Sequence, residues 1–166
     1  MRQQAVILLA AAQLGVMAES VAADAAYSVK QLTTETALKA AEAALASCRK
    51  AGYQVAVAVV DRSGLIQAQL RDRFAGPHTL DVSSNKAWTA VSFKTSTLEL
   101  EKLTRPGQTM SGLRNVARFT AIGGGVTIEA GGSLLGAIGV SGAPGGEADE
   151  ACAKAGVKAI ADSLEF

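Results

Sequence analysis

Histidine is almost missing from this chain: of 166 residues, only His78 is one. That count excludes a histidine-rich metal site, and any Ser-His-Asp arrangement has to use His78, with no G-x-S-x-G elbow to accompany it. Aromatics make up 4% and the formal net charge is +1, so no basic surface argues for nucleic acid or an anionic membrane as partner. Cysteines number two, Cys48 and Cys152. Neither belongs to a C-x-x-C motif, which excludes a zinc knuckle or a thioredoxin-like site. No apolar run reaches the ~20 residues that span a bilayer. The glycine-rich stretch IGGGVTIEAGG at 122–132 has no G-K-[ST] after it, so it reads as tight turns rather than a phosphate cradle.

What the chain does have is apolar bulk from small residues. Hydrophobic residues are 49% and charged residues 19%. That is too apolar for a disordered chain and is sized for one domain. The N-terminus stands apart. Arg2 precedes the uncharged run Ala5 to Ala18, and small residues follow through Ala26. A basic start, a short apolar run and an A-x-A-like end predict a secretory signal peptide over residues 1–25 and a mature domain over 26–166. The chain is then expected in the periplasm or outside the cell, with no stable membrane insertion after signal removal. In an oxidising compartment Cys48 and Cys152 bridge if their two helices pack side by side; the alternative is two separately buried thiols.

Along the mature chain, Thr33 or Thr34 caps a helix to about Ala51, with Leu38, Ala41, Leu45 and Cys48 on its apolar face and Gly52 as its stop. Two strands, Gln54–Val60 and Leu65–Arg71, flank the turn Asp61-Arg62-Ser63-Gly64. Pro77 opens the next helix, and Ser96 with Glu99 caps a shorter one. Phe119–Ile122, Val126–Glu129 and Ser133–Val140 read as three more strands, with Gly123–Gly125 and Gly131-Gly132 as the turns between them. A last helix follows Gly142–Gly146. The order α-β-β-α-α-β-β-β-α predicts an α+β fold: a five-stranded antiparallel sheet flanked by helices.

Candidate chemistry is sparse. Arg71 and Arg73 end the second strand beside Phe74–His78 and are placed to meet an anionic ligand. His78 is the candidate iron ligand, since a single histidine serves as an axial ligand of haem. Glu147 and Glu150 form an E-x-x-E pair, a weak surface iron candidate, although acids at a helix N-terminus also suit the helix dipole without any metal. For an enzyme, Asp61, Asp72 and His78 are the candidate general bases.

The segments VAVAVVDRSGLIQAQLRD, AGPHT, NKAWTAVSF and GGGVTIEAGGSLLGAIGVSGAPGGEAD resemble the GlcG/HbpS-like family in order, over about residues 30–165. The resemblance implies a five-stranded antiparallel sheet with helices, homo-oligomers, and haem or another tetrapyrrole as ligand in some members. It implies a haem-linked histidine in the first helix, which this chain lacks. His78 and Thr79 are therefore the expected substitutes, with Arg71 and Phe74 completing the ligand-binding set. The leading expectation is an exported protein that binds a small molecule, haem above others. The alternatives are an enzyme that acts on a small hydroxy acid or degrades haem, and an oligomeric accessory or sensor partner without a small ligand.

Overall fold

The computed structural model describes residues 25–164, so the expected signal peptide lies almost wholly outside the described residues. The elements are α1 (Thr34–Lys50), β1 (Ala56–Asp61), β2 (Ile66–Arg71), α2 (His78–Phe93), α3 (Thr97–Leu103), β3 (Gly125–Ala130), β4 (Ser133–Ser141) and α4 (Gly146–Ile160), with 3₁₀ turns at Ser111–Asn115 and Ala161–Leu164. The strands form one sheet in the order β2-β1-β4-β3, every neighbouring pair antiparallel.

The sheet is the middle of three layers. All six residues of β1 are buried, because it is an inner strand covered on both faces. Val55, Val57 and Val59 join the larger core with α1 and α4, whereas Val60 packs with Ala87, Ala90 and Val91 of α2 on the opposite face. This odd–even split follows from the two-residue period of a strand.

Small residues set the spacing of the layers. Gly139 of β4 has no room for a side chain: a Cβ there would lie 2.0 Å from the Ser83 carbonyl and 2.6 Å from the Ala87 nitrogen. Its bare backbone lets α2 lie directly on the sheet. On α1 the expected face is buried at Ala41, Leu45 and Cys48, and only Leu38 departs from it. Ala37, Ala40, Ala41, Ala44, Leu45 and Cys48 are buried, while Leu38 is 40% exposed. Helix α4 approaches α1 closely at Gly156, where a Cβ would lie 2.6 Å from the Ala40 carbonyl and 3.0 Å from the Ala44 Cβ. Cys48 and Cys152 form a disulfide there, with Cα atoms 5.5 Å apart and a sequence separation of 104.

The capping expectations hold locally. Thr33 accepts from the Thr36 N–H, and Ser96 from the Glu99 N–H. Gly131 and Gly132 both have positive φ, at 53° and 72°, as a two-residue hairpin turn requires.

The fifth strand does not form. Phe119–Ile122 joins no ladder. Its polar backbone is diverted to α2 instead: the Thr120 N–H donates to Thr89 Oγ1, whose hydroxyl donates to the Arg118 carbonyl. Phe119 meets Phe93 edge-on, with ring centroids 5.1 Å apart. Gly123–Gly125 is accordingly no turn between strands; it is the tight approach of the chain to β3.

Candidate functional site

Helix α2 starts at the end of the sheet where β2 finishes and β4 gives way to the loop 142–145. Its entry is fixed by neutral hydrogen bonds. Thr79 Oγ1 donates to the Gly76 carbonyl at 2.6 Å, and Gln69 Nε2 reaches across from β2 to the Leu80 carbonyl at 2.8 Å. His78, Val82 and Lys86 follow at four-residue spacing, one stripe of a helix. They form one wall of an open cleft of about 340 Å³, which Ile122, Gly142 and Asp149 help to close.

His78 sits exposed at the mouth. Its imidazole lies against Gly76, where a Cβ would come within 2.6 Å of Cε1 and 2.8 Å of Nδ1. Among the described residues it makes no hydrogen bond, so both ring nitrogens are uncommitted.

Lys86 and Asp149 form the floor. Lys86 Nζ lies 2.7 Å from Asp149 Oδ2 and 3.0 Å from the Val140 carbonyl. The side chains are 1% and 5% exposed. Asp149 Oδ1 accepts from the Ala143 N–H at 2.9 Å, which ties the loop to α4. Burial pushes the Lys86 ammonium below its ordinary range, with the Asp149 charge acting against that shift. Burial likewise pushes the Asp149 carboxyl up, with Lys86 and the backbone N–H groups of Ala143 and Gly142 opposing it. Gly124, at φ +121°, caps the pair: a Cβ there would lie 2.7 Å from the Asp149 Cβ and 3.0 Å from Lys86 Nζ. The triple glycine thus makes room for a buried charge pair.

The other sequence-derived residues distribute unevenly. Arg71 is exposed and donates from Nη1 to the Ala75 carbonyl, which holds the loop before α2. Phe74 is 79% exposed, with the Arg73 guanidinium 5.9 Å from its ring centroid. Thr79 is buried and turned inward, away from any ligand at the mouth. Asp61 accepts from the Ser63 and Leu65 N–H groups within the β1–β2 turn. Asp72 accepts from Arg49 Nε at 2.7 Å and from the Val55 N–H. Both carboxylates are buried and committed to holding backbone. Glu147 is exposed, whereas Glu150 is buried and paired with Lys154 at 2.7 Å. Among the described residues no cluster of three or more His, Cys, Asp or Glu is placed to hold a metal ion.

Sequence reasoning missed Lys86 and Asp149. A signal was present: Lys86 follows His78 and Val82 on one stripe of the helix, and Ala87 and Ala90 beside it read as core positions. Asp149 was hidden among helix-terminal acids, where charge has an explanation without any partner.

The family described as "Haem degrading protein HbpS-like" matches residues 32–158. A crystal structure of a double mutant of HbpS from Streptomyces reticuli superposes with a TM-score of 0.78 at 36% identity, covering 91% of this chain and 98% of that one. PduOC in complex with haem superposes at 0.74 and 30% identity, covering 78% and 95%. An uncharacterised 15.0 kDa protein from the dhaT-dhaS intergenic region of Citrobacter freundii is 33% identical over 118 residues, 69% of this chain and 82% of its own length.

Proposed function

The chain belongs to the HbpS-like family, and from that premise we propose that it binds haem at the cleft whose mouth carries His78. The observation that carries this reading is an exposed imidazole with no hydrogen-bond partner among the described residues, set at the rim of a hollow. An uncommitted ring nitrogen is what an axial iron ligand needs. The surroundings fit the group. Val82, Ile122 and Ala143 offer apolar wall; Arg71, Arg73 and Phe74 lie outside that lining, on the exposed segment that leads into α2, as the cations and aromatic face for the ring edge and its propionates. Bound haem supplies a redox-active iron; the chain's own part is to ligate it, cover its ring and neutralise its carboxylates. The likeness to PduOC in its haem complex supports the reading.

The cleft lies at the small end of ligand-pocket volumes, about 300–1,000 Å³. We infer that a second copy of the chain completes the cover, so the protein works as a homo-oligomer. The N-terminal pattern supports export to the periplasm or the medium, with residues 26–166 as the mature unit. Glu147 remains the exposed member of the weak iron pair, whereas Glu150 is buried, with Oε1 paired to Lys154 and Oε2 without a hydrogen-bond partner among the described residues.

Haemin titration of the mature protein tests the reading. A shifted Soret band that is lost or displaced in His78→Ala supports it; a His78→Ala protein with an unchanged spectrum and affinity removes His78 as ligand, and no Soret shift at all removes haem.

A further inference from the structure

We propose that Lys86 is a reactive amine that condenses with a small uncharged aldehyde entering the cleft, with Asp149 as its proton partner. The inference goes beyond haem binding and does not require it.

Three observations converge. First, the pair is buried, yet both residues line a cleft open to solvent; a purely structural ion pair needs no hollow beside it. Second, an ammonium has three donors, and Lys86 has two acceptors among the described residues, the Val140 carbonyl and Asp149 Oδ2. The third donor position is unused among the described residues, on a side chain that lines the cleft. Third, burial weakens the charged form of both partners, which favours passing the proton from nitrogen to carboxylate. Desolvation of this kind is how lysines become nucleophiles near neutral pH.

The chemistry closes on these two side chains. Asp149 carboxylate takes a proton from Lys86, the free amine adds to the carbonyl carbon, and the oxygen takes a proton from the attacking nitrogen to give a neutral carbinolamine. The protonated Asp149 returns its proton to that hydroxyl, which leaves as water as the C=N bond forms. The resulting iminium keeps the Asp149 carboxylate as its counter-charge. The choice of substrate follows from the walls. A buried carboxylate at the floor opposes a second anion, and Val82, Ile122 and Ala143 suit a short alkyl chain.

The test is reductive trapping of the full mature protein with acetaldehyde and cyanoborohydride at sub-stoichiometric conversion, followed by peptide mapping. The other lysines are exposed and act as internal references. The expected result is ethylation at Lys86 at least tenfold above their mean, a preference that Asp149→Asn abolishes and that rises with pH in the wild type. Labelling of Lys86 at or below the level of the exposed lysines overturns the proposal and leaves the pair as structure. Lys86→Arg, which keeps the charge, is expected to lose the adduct, and the trapping is run without haemin, so intact Lys86 labelling with no Soret shift, or the reverse, separates failure of one reading from failure of the other.

Discussion

Lys86 and Asp149 are 63 residues apart in the chain and 2.7 Å apart in space. Their contact fastens α2 to α4, and through the Val140 carbonyl and the Ala143 N–H it also fixes the end of β4 and the loop after it. Because the pair is buried, both ions are desolvated, and the joint replacement Lys86→Met with Asp149→Leu removes that cost. The double variant is expected to be as stable as the wild type near neutral pH, or to gain up to about 1–4 kcal/mol. Urea denaturation of the two proteins checks this; a double variant markedly less stable than the wild type would contradict it.

The same pair gives a pH signature. Asp149 is held above its ordinary value near 3.8, so its contribution to stability is full below that value and is lost as pH rises through the folded-state pKa. Lys86 is held below its ordinary 10.5, so its contribution is full above that value and is lost as pH falls through the folded-state pKa. Both contributions are therefore smallest near neutrality. Relative to the Lys86→Met, Asp149→Leu double variant, the wild type should gain stability toward pH 4 and toward pH 10. Urea midpoints at pH 4, 7 and 10 measure this; a constant difference would falsify the assignment.

The disulfide contributes through the unfolded chain. Linking Cys48 to Cys152 closes a loop of about 100 residues, for which chain-entropy estimates reach ~4.7 kcal/mol. Replacing both cysteines by alanine, or adding a reductant, is expected to cost about 2–5 kcal/mol, read as a lowered urea midpoint and melting temperature. Mass spectrometry of the unreduced chain should show the loss of two hydrogens, and a free-thiol assay at two per chain would count against the bridge.

Local signals in the sequence were accurate where the backbone decides the structure. The caps at Thr33 and Ser96 and the paired glycines 131–132 are statements about a few adjacent residues, and they hold. Phe119–Ile122 misled because a short apolar run fits a strand, a buried loop or a helix equally well. What diverts it is a hydroxyl on Thr89, thirty-one residues away from Thr120. The site was legible only in part. His78 stood out by scarcity and lies on the cleft, while Thr79, its neighbour, is turned into the protein. The Lys86–Asp149 floor depends on α2 and α4 meeting across the sheet end, which no short window of residues encodes.

Gly76 gives a way to move the imidazole without touching it. A methyl group there would meet His78 Cε1 at 2.6 Å and Nδ1 at 2.8 Å, so the ring has to swing. That ring is the far end of an exposed side chain, and the backbone at Gly76 does not adopt a positive φ, so the fold has little reason to suffer. Gly76→Ala should change stability by no more than about 0.5–1 kcal/mol, with the lower entropy of the unfolded chain offsetting any strain. Haem ligation, by contrast, depends on where the nitrogen sits, and an ångström of displacement changes which atoms reach the iron. The variant is expected to melt like the wild type and to weaken haemin binding at least tenfold, approaching His78→Ala. Unaltered haemin affinity and Soret position in Gly76→Ala, with melting also unchanged, would mean that the iron is held elsewhere than at His78.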